Sequence, residues 1–115
     1  MPPFLCLSNG VDNETALAQA LGSDKVIAGT VTSAVGRRAA GNIALERLRG
    51  VGVSEGHPIS KRLAAVLNAA GLNAETYPDA AAMKWSKMLT NLVANASSAI
   101  LDMSPAEIFA HPGLY

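Results

Sequence analysis

The sequence has one cysteine, Cys6, and very few rings: Phe, Trp and Tyr together make 4% of its 115 residues. A single thiol excludes an internal disulfide, and Cys6 has no cluster around it for a metal. A reducing compartment is the natural reading. The scarcity of aromatics means that a core must rest on Ala, Val, Leu and Ile, and half of the residues are hydrophobic. Net charge is absent too, with nine basic residues against nine acidic ones. No basic stripe or charge block stands out, which argues against nucleic acid or an anionic membrane as a partner. The apolar runs fall short of a membrane span. The start, Met1-Pro2-Pro3-Phe4, lacks the basic region of a signal peptide, so the expected location is the cytoplasm. The length allows one domain or less.

What is present has a clear order. Phe4-Leu5-Cys6-Leu7 reads as a buried strand. Such strands sit inside sheets, so earlier chain is expected to have built that sheet, and this chain to be cut into rather than begun. Asn9-Gly10 is a turn signal. Asp12 or Asn13 can cap a helix whose stripe is Leu17, Ala20 and Leu21, and Gly22 stops it. Residues 25–35 are rich in β-branched side chains and predict a strand, 36–42 a turn region, 43–49 a strand rather than a short helix, and 51–54 another strand. His57-Pro58 opens a helix with Leu63, Val66, Leu67 and Ala70 at helical spacing, and Gly71 ends it. Residues 74–77 form a short strand before Pro78-Asp79. From 80 to about 102 one long helix is expected, since it holds no Gly or Pro. Ser104-Pro105-Ala106-Glu107 is a capping signature for a further helix. The alternation predicts an α/β layer architecture that passes into an all-helical region near residue 80.

The long helix carries the chemistry. On a wheel at about 100° per residue with Lys87 at zero, Asn91 falls at about 40°, Asn95 at about 80° and Ser98 at about 20°. Trp85, Met88, Leu89, Leu92, Ala96 and Ile100 occupy a separate arc, roughly 100° to 220°, expected to be the buried side. A solvated face is the plain alternative for the polar strip. Exposed faces, however, favour Glu, Lys, Gln and Arg, and two mid-helix Asn residues cost roughly 1 kcal/mol relative to good formers. A polar cleft would justify them. An ammonium beside a ketone oxygen stabilises the charge that hydride addition develops there and can supply the proton. Carboxamides one and two turns away can hold hydroxyl or carboxylate groups without adding charge.

Lys87-x-x-x-Asn91-x-x-x-Asn95, following a short strand and a Pro-Asp turn, resembles the central helix of the ketopantoate reductase family. Leu7-Ser8-Asn9-Gly10 closing a strand resembles the family's strand-then-Asn-Gly motif, usually written with Gln or His before the Asn. The strand containing residues 29–32, the hairpin and the Ser54-Glu55-Gly56 turn follow in the family's order, so the resemblance covers essentially the whole chain. It implies the second half of a Rossmann-like NAD(P)-binding domain in residues 1–79, leading into the first helices of an all-helical C-terminal domain in 80–115. It implies reduction of 2-dehydropantoate to (R)-pantoate with NADPH, in pantothenate biosynthesis, without a metal. Lys87 would be the proton donor to the substrate carbonyl. Asn91 and Asn95 would hold substrate, and Asn9 would lie where cofactor and substrate meet. Val35 falls near a position that touches NADPH through its backbone. A homodimer or other self-association is expected.

The sequence departs from the family in several respects. The family's Gly-x-Gly-x-x-Gly loop, which receives the pyrophosphate at a helix N-terminus, has no counterpart; the run Gly50 to Gly56 has one residue too many and sits in a strand region. The residues that read the NADP 2′-phosphate and the C-terminal helical region are also without counterparts. The chain alone is therefore expected to be catalytically incompetent. Two alternatives stand beside this reading: a related β-hydroxyacid dehydrogenase, which also uses Lys-x-x-x-Asn on a helix, and a non-catalytic, self-associating remnant. The other candidate residues have plainer readings. His57 and His111 read as turn or cap residues, Cys6 as core, Arg37-Arg38 as a basic hairpin turn, and the sequon Asn95-Ala96-Ser97 as an accident of a helix. Lys84 lies at about 60° on the same wheel and competes with Lys87, which the spacing to both Asn residues favours.

Overall fold

Pairing across the chain decides where the strands begin and end. The structure, a computed structural model, describes residues 1–114. Phe4–Cys6 forms β1, and Asn13–Leu21 forms the helix α1 after the Asn9-Gly10 turn. A 3-10 turn at Ser23–Lys25 leads into β2, Val26–Val31, which lies parallel to β1 with Phe4, Leu5 and Cys6 opposite Val26, Ile27 and Ala28. Ala34–Ala39 (β3) and Asn42–Arg47 (β4) pair with each other as an antiparallel hairpin. Val51–Ser54 (β5) returns antiparallel to β2, Ser60–Ala69 (α2) crosses over, and Ala74–Tyr77 (β6) runs parallel to β5. The main sheet has the order β1-β2-β5-β6, so its two halves run in opposite directions.

One face of this sheet is covered by α2. Ile27, Val51, Val53, Ala64 and Ala74 form the core, with Leu5, Val31, Ile59, Leu63 and Leu67 around it. Ile27 and Val53 are fully buried, each contributing about 1.5–3 kcal/mol by the usual transfer scale. Asn68 ties α2 to β6: its side chain accepts from the Ala74 N–H (2.5 Å) and donates to the Ala74 carbonyl (2.9 Å), as a neighbouring strand would. On the opposite face Ala80–Asn91, α3, crosses β2 and β5. Asp79 caps it by accepting from the Ala82 N–H at 2.9 Å. A side-chain carbon at Gly52 would come 2.9 Å from Met83 Sδ, so the bare backbone there lets the helix lie close.

Several expectations are corrected. The strand expected at 25–35 stops at Val31, because Thr32 and Ser33 bond Gly50 instead of continuing the ladder. Thr32 donates to the Gly50 carbonyl from its N–H (3.0 Å) and its hydroxyl (3.2 Å), and Ser33 Oγ accepts from the Arg49 and Gly50 N–H groups, both at 3.0 Å. The turn region expected at 36–42 is mostly strand, with only Ala40-Gly41 at the turn, because pairing of Gly36 with Ala44 and Arg37 with Ile43 overrides the local Gly and Arg content. The long helix is broken. After α3, Leu92–Ala96 forms a π-helical turn, Ser97–Leu101 forms α4, and Asp102 turns left-handed at φ 50°.

The arc expected to be buried is not. Trp85 is 53% exposed, Leu89 59% and Ile100 82%. The buried residues of α3 are Met83 and Lys84, which face the sheet. Pro105–Ala110 forms α5 with the expected capping box, in which Glu107 Oε2 accepts from the Ser104 N–H at 2.7 Å and Ser104 Oγ from the Glu107 N–H at 3.3 Å.

Candidate active site

Ligands of open α/β sheets gather at the carboxyl ends of strands, and two elements converge at the end of β1. The turn after β1 presents Asn9, whose backbone carbonyl is fixed by Asn13 Nδ2 at 2.6 Å while its exposed carboxamide has no partner among the described residues. Helix α3 brings two lysines one turn apart, and their surroundings differ completely. Lys84 is buried, 6% exposed at its side chain. Its ammonium donates to the Ser8 carbonyl (2.7 Å) and the Gly29 carbonyl (2.9 Å) and pairs with Glu14 Oε1 (2.7 Å). Lys87 is half-buried, pairs with no described residue, and lines a cavity of about 450 Å³.

That cavity also takes in Thr30, Thr32, Arg49, Tyr77, Asp79, Ser86 and Thr90. Arg49 has no side-chain partner among the described residues, so the cavity holds two cations free to meet an anion. Its backbone is held firmly: the Arg49 N–H donates to Ser33 Oγ (3.0 Å) and its carbonyl accepts from Asn73 Nδ2 (2.7 Å). Tyr77 Oη donates to Glu75 Oε2 at 3.3 Å. Burial, then the Glu75 charge and this bond, hold the phenol above its ordinary range, so Tyr77 stays a neutral donor.

The remaining predicted residues are dispersed. Asn91 and Asn95 lie outside that cavity, further along the helix, and Asn95 Nδ2 donates to Asn91 Oδ1 at 3.3 Å. The π-helical turn covers Asn95, a kind of distortion that recurs at functional sites. Val35 is 50% exposed on the hairpin, opposite Leu45 and outside the cavity. His57 has both nitrogens occupied: Nδ1 accepts from the Ile59 N–H (3.2 Å), and Nε2 faces the Asp24 carbonyl (2.9 Å) as a donor. It is a loop staple. Cys6 is buried core.

Residues 3–56 match the family model described as ketopantoate reductase PanE/ApbA. Over these residues the chain is similar to the ketopantoate reductase family. Solved structures extend the likeness to nearly the whole chain. The 2-dehydropantoate 2-reductase of Porphyromonas gingivalis W83 is 26% identical with a TM-score of 0.82, over 97% of this chain and 41% of its own. That of Geobacter metallireducens GS-15 is 25% identical with a TM-score of 0.85, over 97% of this chain and 38% of its own. D-mandelate dehydrogenase in complex with NADH, 24% identical, shares the fold at a TM-score of 0.82 over 96% of this chain and 40% of its own. No curated protein matches significantly. The chain thus spans about two fifths of the length of these ketopantoate reductases. Its architecture is that of their Rossmann-like nucleotide domain with a helical continuation.

The fit to a nicotinamide cofactor is partial. The free Asn9 carboxamide suits an amide-bearing ring, whereas no Gly-x-Gly-x-x-Gly loop in these 115 residues could receive a pyrophosphate. Sequence reasoning missed Arg49 and Tyr77. Nothing local marks either one, because the cavity forms only when the base of the hairpin, the end of β6 and α3 come together. Among the described residues no helix is long and apolar enough to cross a membrane.

Proposed function

We propose that this chain forms part of an NADPH-dependent reductase that converts 2-dehydropantoate to (R)-pantoate, with Lys87 as the proton donor. The observation that carries the reading is the contrast between the two lysines of α3. The ammonium of Lys84 is committed to protein through two hydrogen bonds and an ion pair, whereas Lys87 pairs with no described residue and lines a cavity with a second free cation. A bound nicotinamide supplies the hydride to the carbonyl carbon. Lys87 Nζ hydrogen-bonds the ketone oxygen, stabilises the negative charge that develops there and passes it a proton, giving the hydroxyl; the neutral amine regains its proton from water. Arg49 suits the carboxylate of the keto acid, since a guanidinium offers a planar pair of donors. Asn9, Asn91 and Asn95 supply neutral donors and acceptors, Asn9 nearest the cofactor, with Val35 contributing backbone only. The pyrophosphate of NADPH would be held by residues outside these 115, so the isolated chain turns nothing over.

The test is turnover by the full-length protein that carries this chain, with ketopantoate and with the keto acid of mandelate, each with NADPH and with NADH. Reduction of ketopantoate with NADPH is expected. Lys87→Ala should lower kcat about 100- to 10,000-fold, the usual worth of a positioned acid. Preference for the keto acid of mandelate with NADH would move the protein to the branch of the fold that D-mandelate dehydrogenase represents. Unchanged kcat in Lys87→Ala would remove Lys87 from the chemistry.

A further inference from the structure

We propose that Lys84 is a positioning residue, whose ammonium fixes the turn carrying Asn9 against the helix carrying Lys87. The proposal rests on the reductase reading for its catalytic consequence, and on geometry alone for its structural one. The β1–β2 ladder ends with Cys6 opposite Ala28, so the carbonyls of Ser8 and Gly29 lie just past the last paired residues. Lys84 Nζ reaches both, at 2.7 and 2.9 Å, and meets Glu14 Oε1 from the first turn of α1 at 2.7 Å. One ammonium therefore joins the Asn9 turn, β2, α1 and α3.

Two features set this apart from ordinary helix packing. A Met or Leu of similar length would fill the same volume, as Met83 does beside it, but would leave the two carbonyls and the carboxylate to find other partners. Burying the charge costs several kcal/mol unless it is paired, and here two hydrogen bonds to carbonyls and an ion pair to a carboxylate hold it. Lys84 and Lys87 are also separated by about 4.5 Å along the helix axis. Fixing the first relative to Ser8 thus fixes the second relative to Asn9, the next residue of the turn. Lys84 has no proton to offer a ligand without breaking this arrangement, so it acts through the placement of others.

The experiment compares Lys84→Met and the double variant Lys84→Met/Glu14→Gln with wild type in the full-length protein. The double variant removes the carboxylate that the single change strands, which guards against misfolding of the single variant. Amide hydrogen exchange and steady-state kinetics are read on each. Exchange at residues 9–11 should accelerate while β5 keeps its protection, and kcat should fall about 100-fold with KM little changed, as for a reacting group displaced by about 1 Å. Unaltered exchange at 9–11, or a lower melting temperature with kcat intact, would overturn the proposal and leave Lys84 as a stability element. If wild type reduces no keto acid, the functional reading falls and the exchange comparison still decides the positioning claim.

Discussion

Gly50 is where a single methyl group should do the most damage. Its φ is +147°, outside the range that side-chain-bearing residues adopt readily, and an added Cβ would fall on the backbone oxygen of Asn73. That oxygen cannot retreat cheaply, because it accepts from the Val51 N–H at 3.3 Å, where β6 meets β5. The dihedral strain is worth about 1–3 kcal/mol and the displaced backbone a similar amount, so Gly50→Ala should cost about 3 kcal/mol in all. With a urea m-value of about 1.5 kcal/mol/M, the unfolding midpoint should drop by about 2 M. Two controls separate the terms. Gly71, with φ +79° and open space around it, carries the dihedral cost alone, about 1 kcal/mol on change to Ala. Gly56, with no positive φ and equally open space, should change by less than about 0.5 kcal/mol. Urea unfolding followed by far-ultraviolet circular dichroism ranks the three. If Gly50→Ala unfolds no earlier than Gly71→Ala, the contact with Asn73 does not constrain the fold and the reasoning fails.

Other expectations follow from the same contacts. Asn68→Ala removes both bonds to Ala74 and leaves a partly buried N–H without a partner, a loss of about 1–3 kcal/mol measurable by the same melts. The carboxyl of Glu107 is held below its ordinary range by the backbone and side chain of Ser104. A lowered folded pKa means that its stabilisation of α5 is complete above the ordinary glutamate range and is lost as pH falls through the lowered value. Protection of the amides at 104–107 relative to their intrinsic exchange rates should therefore fall on acidification, and Glu107→Gln should flatten that dependence; an unchanged acid response in the variant would refute it. The isolated 115-residue chain should self-associate through the exposed Trp85, Leu89, Leu92 and Ile100, so sedimentation showing a monomer at all concentrations would contradict that.

How much of this could be read in the sequence depended on how local each signal was. Ser104 with Glu107 and Asn9-Gly10 after β1 act within four residues, and each lies where expected; Asp79, expected only in a turn, also caps α3. The hairpin was misjudged because Gly36, Arg37 and Arg38 are poor strand formers individually and are held only by β4. The wheel failed on α3 for a related reason. Periodicity tells which residues share a side, and the sheet decides which side is covered: here it covers Met83 and Lys84. A lysine is read as solvated by type, and nothing in the sequence reveals that Glu14 waits for it 70 positions earlier. The π-helical turn has no Gly or Pro to mark it.

The bond from Lys84 to Ser8 closes a loop of 76 positions, and that to Gly29 one of 55. Contacts so distant along the chain carry a high closure entropy and form after the local hairpin and helices have organised. The ammonium therefore acts late on the folding route, as a latch engaged once the sheet is assembled. Its loss should hasten escape from the native state far more than it slows arrival there. On that account the residue sets the lifetime of the folded protein, and with it resistance to proteolysis, as much as it sets the geometry of the site.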